Sequence, residues 1–258
     1  MQKHYPTLFI SHGAPDLVMS QHAAASAFKA LGQRFSNPKA IVMISAHWIS
    51  DPIAITASES PATIHDFSGF PETLYTLEYP APGEPQLAES IAQHLEQAGL
   101  LAALDKQRGI DHGTWIPLML MYPQANIPVV QVSLPPGDID QCTQLGEVLA
   151  PLRDEGVLII GSGSSVHNLR ALTADNQQPA DWVIAFEEWL LKTIEGNHYN
   201  HASNPKYFPQ EFNIAHPTIE HYLPLIVAWA AADKEAPGKL IHQSFTYGNL
   251  GMSFYEFG

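Results

Sequence analysis

The sequence has almost no cysteine. Its 258 residues include one, Cys142. A single thiol cannot form a disulfide within the chain, and a zinc site built from cysteines is not expected. Low cysteine usage is typical of a reducing compartment, so we expect a cytoplasmic protein.

Basic residues are also scarce. There are 12 Lys and Arg against 26 Asp and Glu, which gives a formal net charge of −14. Because this surface repels a phosphate backbone, no nucleic-acid partner is expected. The longest apolar stretch, Leu223–Ala232, has about half of the roughly 20 residues that a membrane helix needs. The run Thr7–Ile10 is too short for a signal peptide, so no membrane partner is expected either.

What the chain does have is a core-forming composition, with 45% hydrophobic and 15% charged residues. We expect a single globular domain over residues 1–258. Apolar runs without alternation predict strands that are covered on both faces. These strands are Thr7–Ile10, Ala40–Ser45, Ile53–Thr56, Val129–Leu134, Val157–Ile160 and Leu240–Tyr247.

Segments with helical spacing separate these strands. They are Ala24–Phe35, Pro85–Ala98, Cys142–Arg153, the stretch around Trp182–Leu190, and Ile219–Ala232. The alternation predicts an α/β fold with a mainly parallel central sheet and helices on both faces. Leu240–Tyr247 is expected at a sheet edge, and the polar stretch Asn197–Gln210 is expected to be a loop.

Histidine is the abundant residue type among those that bind metals or catalyse reactions, with 13 copies. His12, His47 and His167 each follow a predicted strand closely. Ligands of open α/β sheets bind beyond the carboxyl ends of the strands, so these three side chains are expected at one edge. Neutral imidazoles bind zinc, iron, copper or nickel. A third ligand from the last helix, either His221 or Glu220, would leave open coordination positions, as in catalytic metal sites.

Other motifs carry weaker signals. The stretch Gly161–Ser165 is glycine-rich, but it has neither the lysine of a phosphate-binding loop nor the spacing of a hydrolase nucleophile turn. His65, Asp66 and Phe67 lie in a loop that is either a lid over an aromatic ligand or a capped turn. Trp48 and Trp115 are candidates for the pocket wall or for the core.

Six motifs occur in one order across nearly the whole chain. They are Leu8–Pro15, Ser45–Trp48, Thr63–Pro71, Asp111–Trp115, Gly161–Leu169 and Pro217–Leu225. In this order the sequence resembles the class III extradiol ring-cleavage dioxygenases, within them the 4,5-DOPA dioxygenase branch. The resemblance implies a non-haem Fe(II) enzyme that opens a small aromatic diol with O₂ to a muconic semialdehyde.

The resemblance also implies roles for individual residues. It makes His12, His47 and His221 the metal ligands, and His112 a contact of the substrate. His167 takes the place of the family's acid/base histidine and is close enough to be a further ligand. Zinc in a purified or crystallised sample would be compatible with this assignment.

Two other functions stay open at this point. The same histidines can hold zinc for hydrolysis, or hold a metal in a protein without catalytic activity. The basic residues nearest to the motifs are Arg108 and Arg170, which makes them the candidates for binding a substrate carboxylate. The oligomeric state is left open by the sequence.

Overall fold

A computed structural model describes residues 4–175 and 177–258. Its main feature is an eight-stranded sheet with the strand order β4-β3-β5-β2-β6-β1-β10-β7. The strands, including a separate pair formed by β8 and β9, are β1 Thr7–Ser11, β2 Ala40–Ile49, β3 Ile53–Thr56, β4 Ala102–Asp105, β5 Val129–Leu134, β6 Val157–Gly163, β7 Lys239–His242, β8 Phe245–Thr246, β9 Leu250–Gly251 and β10 Phe254–Phe257.

Helices cover both faces of this sheet. They are α1 Ala23–Arg34, α2 Pro85–Gln97, α3 His112–Met121, α4 Ile139–Leu149, α5 Asp181–Glu195, α6 Tyr199–Ser203, α7 Phe212–Ala215 and α8 Leu223–Ala230. Helices α1 and α3 belong to one hydrophobic cluster, while α2, α4, α5 and α8 belong to another. The predicted α/β class with helices on both faces is confirmed.

The central strands are apolar on both sides because each side feeds a different core. In β2, Val42 and Ile44 belong to the cluster of α4 and α8, whereas Ile41 and Met43 belong to the cluster of α1 and α3. This is the packing expected of strands that run as continuous apolar stretches.

The parallel part of the sheet brings distant segments to one edge. Strand β6 lies between β1 and β2 and is parallel to both, with Ile10 and Ser45 each paired to Ser162. The carboxyl ends of these three strands therefore meet. Ligands of open α/β sheets bind beyond the carboxyl ends of the strands, so a binding site is expected at this edge.

Two glycines of β6 have a packing role. A Cβ atom at Gly161 would overlap with the carbonyl oxygen of Pro224, and one at Gly163 would overlap with that of His221. Because these two positions are glycine, the backbone of β6 directly contacts the segment before α8 and the first turn of α8. This contact, and not a phosphate ligand, accounts for the glycine-rich stretch.

Several predicted boundaries are wrong, each for a local reason. The stretch Leu240–Tyr247 forms β7 at the sheet edge and then β8, which pairs with β9 instead of continuing the edge. The segment 197–210 is not only a loop, because it includes the short helix α6. Helix α8 begins at Leu223, not Ile219, with Pro224 in its first turn.

Other elements differ as well. Helix α4 begins before Cys142, since the Asp138 side chain accepts the backbone N–H of Gln141 at the helix start. It becomes a 3₁₀ helix at Ala150, next to Pro151. Strands β4 and β10 and helix α3 were not predicted. No helix in the described part of the chain combines the length and the apolar character needed to cross a membrane.

Replacing Gly161 with Ala tests the close contact between β6 and α8. We expect the free energy of unfolding to fall by about 3 kcal/mol, because the new methyl group would displace the backbone at Pro224. The measurement is urea unfolding followed by circular dichroism. Gly137→Ala is the control, because a Cβ there meets no atom within 4 Å and only its φ of +64° is unfavourable, at a cost of about 1 kcal/mol. Equal losses in the two variants would contradict this prediction.

Candidate metal centre and active site

Two histidines reach the carboxyl edge from neighbouring parts of the parallel sheet. His12 directly follows β1, and its backbone N–H continues the ladder to Gly163 O at 3.0 Å. His47 lies inside β2, where the register against β5 shifts between Ile44 and Ile49. Irregular pairing of this kind often changes the direction of a side chain near a functional site. The ring centroid of His47 lies 4.9 Å from that of His12.

Three imidazoles converge at this edge. The Nε2 atoms of His12 and His47 are 3.0 Å apart. His221, from the turn before α8, completes a group in which one nitrogen of each ring lies within 4.8 Å of the others. Residues from three distant segments thus point their ring nitrogens at one small volume.

The outer nitrogen of His12 is held by a hydrogen-bond chain that begins at a proline. Pro117 lies inside α3 and has no N–H, so the helix leaves the carbonyl of Gly113 without its usual partner. Ser162 Oγ donates to this carbonyl at 2.5 Å and therefore accepts from His12 Nδ1 at 2.9 Å. With the proton on Nδ1, the lone pair of His12 is on Nε2, the nitrogen nearest His47.

His221 is held in the same manner by a carboxylate. Its Nδ1 donates to Glu220 Oε1 at 3.1 Å. Its Nε2 is buried and has no hydrogen-bond partner. A histidine whose Nδ1–H is bound to a carboxylate while Nε2 is left over is the usual arrangement of a metal-binding imidazole.

Burial keeps these rings neutral. It lowers the pKa of His12 and of His221 well below the ordinary value, and the neighbouring histidines lower both further. Burial also lowers the pKa of His47 to about 3, although Asp66 opposes the shift. At neutral pH the three rings are therefore uncharged and have lone pairs for a cation.

These donors fit a divalent metal ion. Two nitrogens each roughly 2.1 Å from one ion and about 90° apart lie about 3.0 Å from each other, as the Nε2 atoms of His12 and His47 do. Two other groups, His47–Asp66–His112 and His167–Glu220–His221, meet the same distance limit. In both, however, the carboxylate already accepts a hydrogen bond from a neighbouring imidazole, so it orients that ring.

His112 stands beside the three rings as the first residue of α3. Its ring Nδ1 and its backbone N–H both donate to Asp66 Oδ1 at 2.9 Å. Its ring centroid is 4.0 Å from that of His47, and Phe67 packs edge-on against it. The carboxylate thus fixes the ring and leaves Nε2 as the nitrogen available to a ligand.

Helix α3 approaches this closely because its second residue is glycine. A Cβ at Gly113 would lie 2.5 Å from Ser45 Oγ and 3.2 Å from His12 Nδ1. Helix α3 therefore begins directly at the site.

His167 lies on the face of His221. The two rings stack with centroids 3.4 Å apart and an interplanar angle of 9°. Burial lowers the pKa of His167 to about 4, although Glu220 opposes the shift. His167 is therefore neutral at pH 7, whereas an imidazole of ordinary pKa, about 6.5, is about one-quarter protonated at that pH.

A cavity of about 410 Å³ opens at these rings. Five predicted site histidines line it together with Phe67. Sequence reasoning missed the remaining lining residues, which are Gly13, Ala14, Pro15, Phe70, Ser164, Leu169, Leu172, Tyr247 and Leu250. Pro15 and Leu169 lie within three residues of a predicted site histidine, a weak signal, whereas nothing in the sequence marks Tyr247.

Three candidate pocket residues do not line the cavity. His65 donates Nε2–H to Leu77 O at 2.9 Å, and Trp115 is fully buried with its Nε1–H on Ile64 O. Trp48 is covered by the Arg108 guanidinium, 4.5 Å from its ring centroid. Asp66 and Glu220 also lie outside the lining, and their carboxylates accept hydrogen bonds from His112 and His221.

One buried carboxyl group supports the loop that carries His167. Glu187 of α5 accepts hydrogen bonds from Ser165 Oγ at 2.5 Å and from Ser253 Oγ at 2.8 Å. Ser165 O in turn accepts from Nε2 of His216 at 2.9 Å. His216 packs among Phe186, Phe212 and Tyr222 and is a core residue.

Comparison with known proteins decides the family. The model of the family described as the catalytic LigB subunit of aromatic ring-opening dioxygenase matches residues 3–258. The chain belongs to this family. This family assignment agrees with the resemblance that the six motifs indicate. The chain is an enzyme of the extradiol ring-cleaving class.

Individual members of the aromatic ring-opening dioxygenase family are similar over nearly the whole chain. A protein of Beta vulgaris named 4,5-DOPA dioxygenase extradiol is 41% identical, over 97% of this chain and 96% of its own length. One of the same name from Escherichia coli K12 is 37% identical, over 98% and 94%. The crystal structure of an uncharacterized protein from Escherichia coli K12 superposes with a TM-score of 0.83 at 32% identity, over 98% of this chain and all of that one.

The buried carboxyl group predicts a pH dependence of stability. Burial raises the pKa of Glu187 above the ordinary 4.5, while Ser165 and Ser253 oppose the shift. The folded state therefore holds a proton that the unfolded chain releases, and stability falls as the pH rises through this window. We expect Glu187→Gln to stabilise the protein relative to the wild type more at pH 8 than at pH 5.

Urea unfolding at the two pH values measures this difference. Glu188→Gln, at the exposed neighbouring position, is the matched control and is expected to give the same difference at both. A constant effect of Glu187→Gln across pH would show that the Glu187 carboxyl group does not take up a proton on folding.

Proposed function

We propose that the chain opens the ring of a DOPA-like catechol with O₂, beside one of the two hydroxyl groups, and forms a muconic semialdehyde. The proposal includes Fe(II) as the metal, held by His12, His47 and His221. The observation that carries it is the convergence of three neutral imidazoles, two of which present lone pairs fixed by Ser162 and Glu220. We further propose that residues 1–258 form one catalytic domain in the cytoplasm.

Bound Fe(II) would bring the catechol oxygens and O₂ together and lower the proton affinity of the catechol. His167, neutral and directly beside His221, would accept a proton from a catechol hydroxyl group and hold it for return to the product. His112, fixed by Asp66, would hydrogen-bond a substrate oxygen through Nε2. The apolar wall around Phe67 and Phe70 would orient the ring and keep water out.

The donor set alone also suits zinc, so the metal needs a direct test. The protein is stripped of metal, reloaded without oxygen with either Fe(II) or Zn(II), mixed with catechols including L-DOPA, and then exposed to air. We expect oxygen uptake and a yellow product with Fe(II) and neither with Zn(II). No oxygen uptake with any catechol, despite bound Fe(II), would overturn the proposal and favour hydrolysis or metal binding without turnover.

Histidine substitutions separate the metal ligands from the proton acceptor. His221→Ala is expected to lose most of the bound metal, because it removes one of three donors. His167→Ala is expected to keep the metal and to lower kcat by roughly 10²–10⁴-fold, the usual contribution of general acid–base catalysis. Metal analysis and oxygen uptake are measured on the same samples.

His94→Ala, at an exposed position of α2, is the matched control and is expected to change neither quantity. Turnover of His167→Ala within a few-fold of the wild type would contradict the acid/base role.

A further inference from the structure

The cavity lining contains a second set of side chains beside the five imidazoles. Most of them are apolar, contributed by Pro15, Phe70, Leu169, Leu172 and Leu250. Apart from the histidines, only Ser164 and Tyr247 among the described lining residues have polar side chains. The hydrogen bonds of these two side chains therefore bear on which substituents of an aromatic ligand the lining favours.

Tyr247 offers the cavity an acceptor. Its hydroxyl group donates to Asp16 Oδ2 at 2.6 Å, which uses its single proton. The phenolic oxygen can therefore only accept a hydrogen bond from a ligand. The backbone N–H of Tyr247 is bound to Asp175, so a second carboxylate lies close behind the same residue.

Ser164 presents the same polarity. Its Oγ lies 2.8 Å from Val166 O and 3.1 Å from Gly251 O, and both are carbonyl groups that can only accept. The hydroxyl proton is therefore engaged with the protein. Ser164, like Tyr247, has lone pairs but no proton for a ligand.

Among the lining residues that the structure describes, no Lys or Arg balances these acceptors. Arg108 is engaged by Asp111 Oδ2 at 3.2 Å and stacks on Trp48, and Arg170 is exposed and outside the lining. Arg108 is thus engaged within the protein, and Arg170 is not among the described lining residues.

We propose that Tyr247 and Asp16 form a subsite for an ammonium group on the side chain of the catechol. This inference rests on the proposed function and adds the class of substrate, a catechol amine. The ammonium N–H donates to the phenolic oxygen, and the charge of Asp16 directly behind it stabilises the cation. A catechol whose side chain carries only a carboxylate finds acceptors where it needs donors and binds more weakly. An amino-acid catechol binds through its ammonium group, with its carboxylate directed to solvent.

Three catechols with matched side chains test the subsite: 4-ethylcatechol, 2-(3,4-dihydroxyphenyl)ethylamine and 3-(3,4-dihydroxyphenyl)propionate. Dissociation constants are measured by titration of the metal-loaded protein without oxygen, and kcat/KM by oxygen uptake. The amine is expected to bind about tenfold or more tightly than the propionate, since a hydrogen bond to a charged group contributes about 1.5 kcal/mol or more. Equal or tighter binding of the propionate would overturn the proposal.

Substitutions assign the preference to the pair. Asp16→Asn keeps an acceptor for the Tyr247 hydroxyl group but removes the charge. It is expected to reduce the ratio of amine to propionate affinity about fivefold or more and to leave 4-ethylcatechol unchanged. Tyr247→Phe is expected to weaken binding of the amine selectively. An unchanged ratio in both variants would show that this pair is not the ammonium subsite.

Asp154→Asn is the matched control. It removes the same charge at an exposed position, where Asp154 pairs with His4, and the ratio is expected to stay at the wild-type value. The binding titration needs no turnover, so the two proposals fail separately. Amine preference without ring cleavage would overturn only the proposed reaction, whereas ring cleavage without amine preference would overturn only the subsite.

Discussion

The site depends on imidazoles that are buried and therefore neutral. A protonated ring would repel its neighbours and any cation, and burial makes that state costly at His12, His47 and His221. Neutral rings alone do not make a site, however, because each must also present the correct nitrogen. Ser162 and Glu220 fix the outer nitrogens of His12 and His221 and so aim the lone pairs inward.

Close backbone contacts position the segments that carry the histidines. Glycines at positions 113, 161 and 163 allow α3 and the segment before α8 to lie directly against the ends of the parallel strands. Pro117, an unfavourable residue within a helix, frees the carbonyl group that orients Ser162. Features that weaken regular secondary structure in isolation are thus concentrated where strands and helices meet the histidines. The segments that contain these glycines also contain motifs that the sequence shares with the class III extradiol dioxygenases.

The sequence predicts the strands of the parallel core and the edge at which histidines collect, because both follow from local pattern and from the geometry of α/β sheets. It does not predict the register shift around His47, since that shift depends on pairing with β5. It does not predict Tyr247 in the cavity, because the position of that residue depends on how the C-terminal region folds against the rest of the chain. Tryptophan suits both a hydrophobic core and a pocket wall, so composition alone does not show which of these locations Trp48 and Trp115 occupy.

The C-terminal strand has a consequence for synthesis of the chain. Strand β10 lies between β1 and β7 and pairs antiparallel with β1, the strand that leads to His12. Until residues 254–257 leave the ribosome, β1 has no partner on that side, so this apolar strand presents an open edge while the segments between β1 and β10 are made. Open apolar edges pair with other chains. Strand β10 therefore covers the free edge of β1, and we expect the chain to be prone to aggregation during the interval before β10 is made.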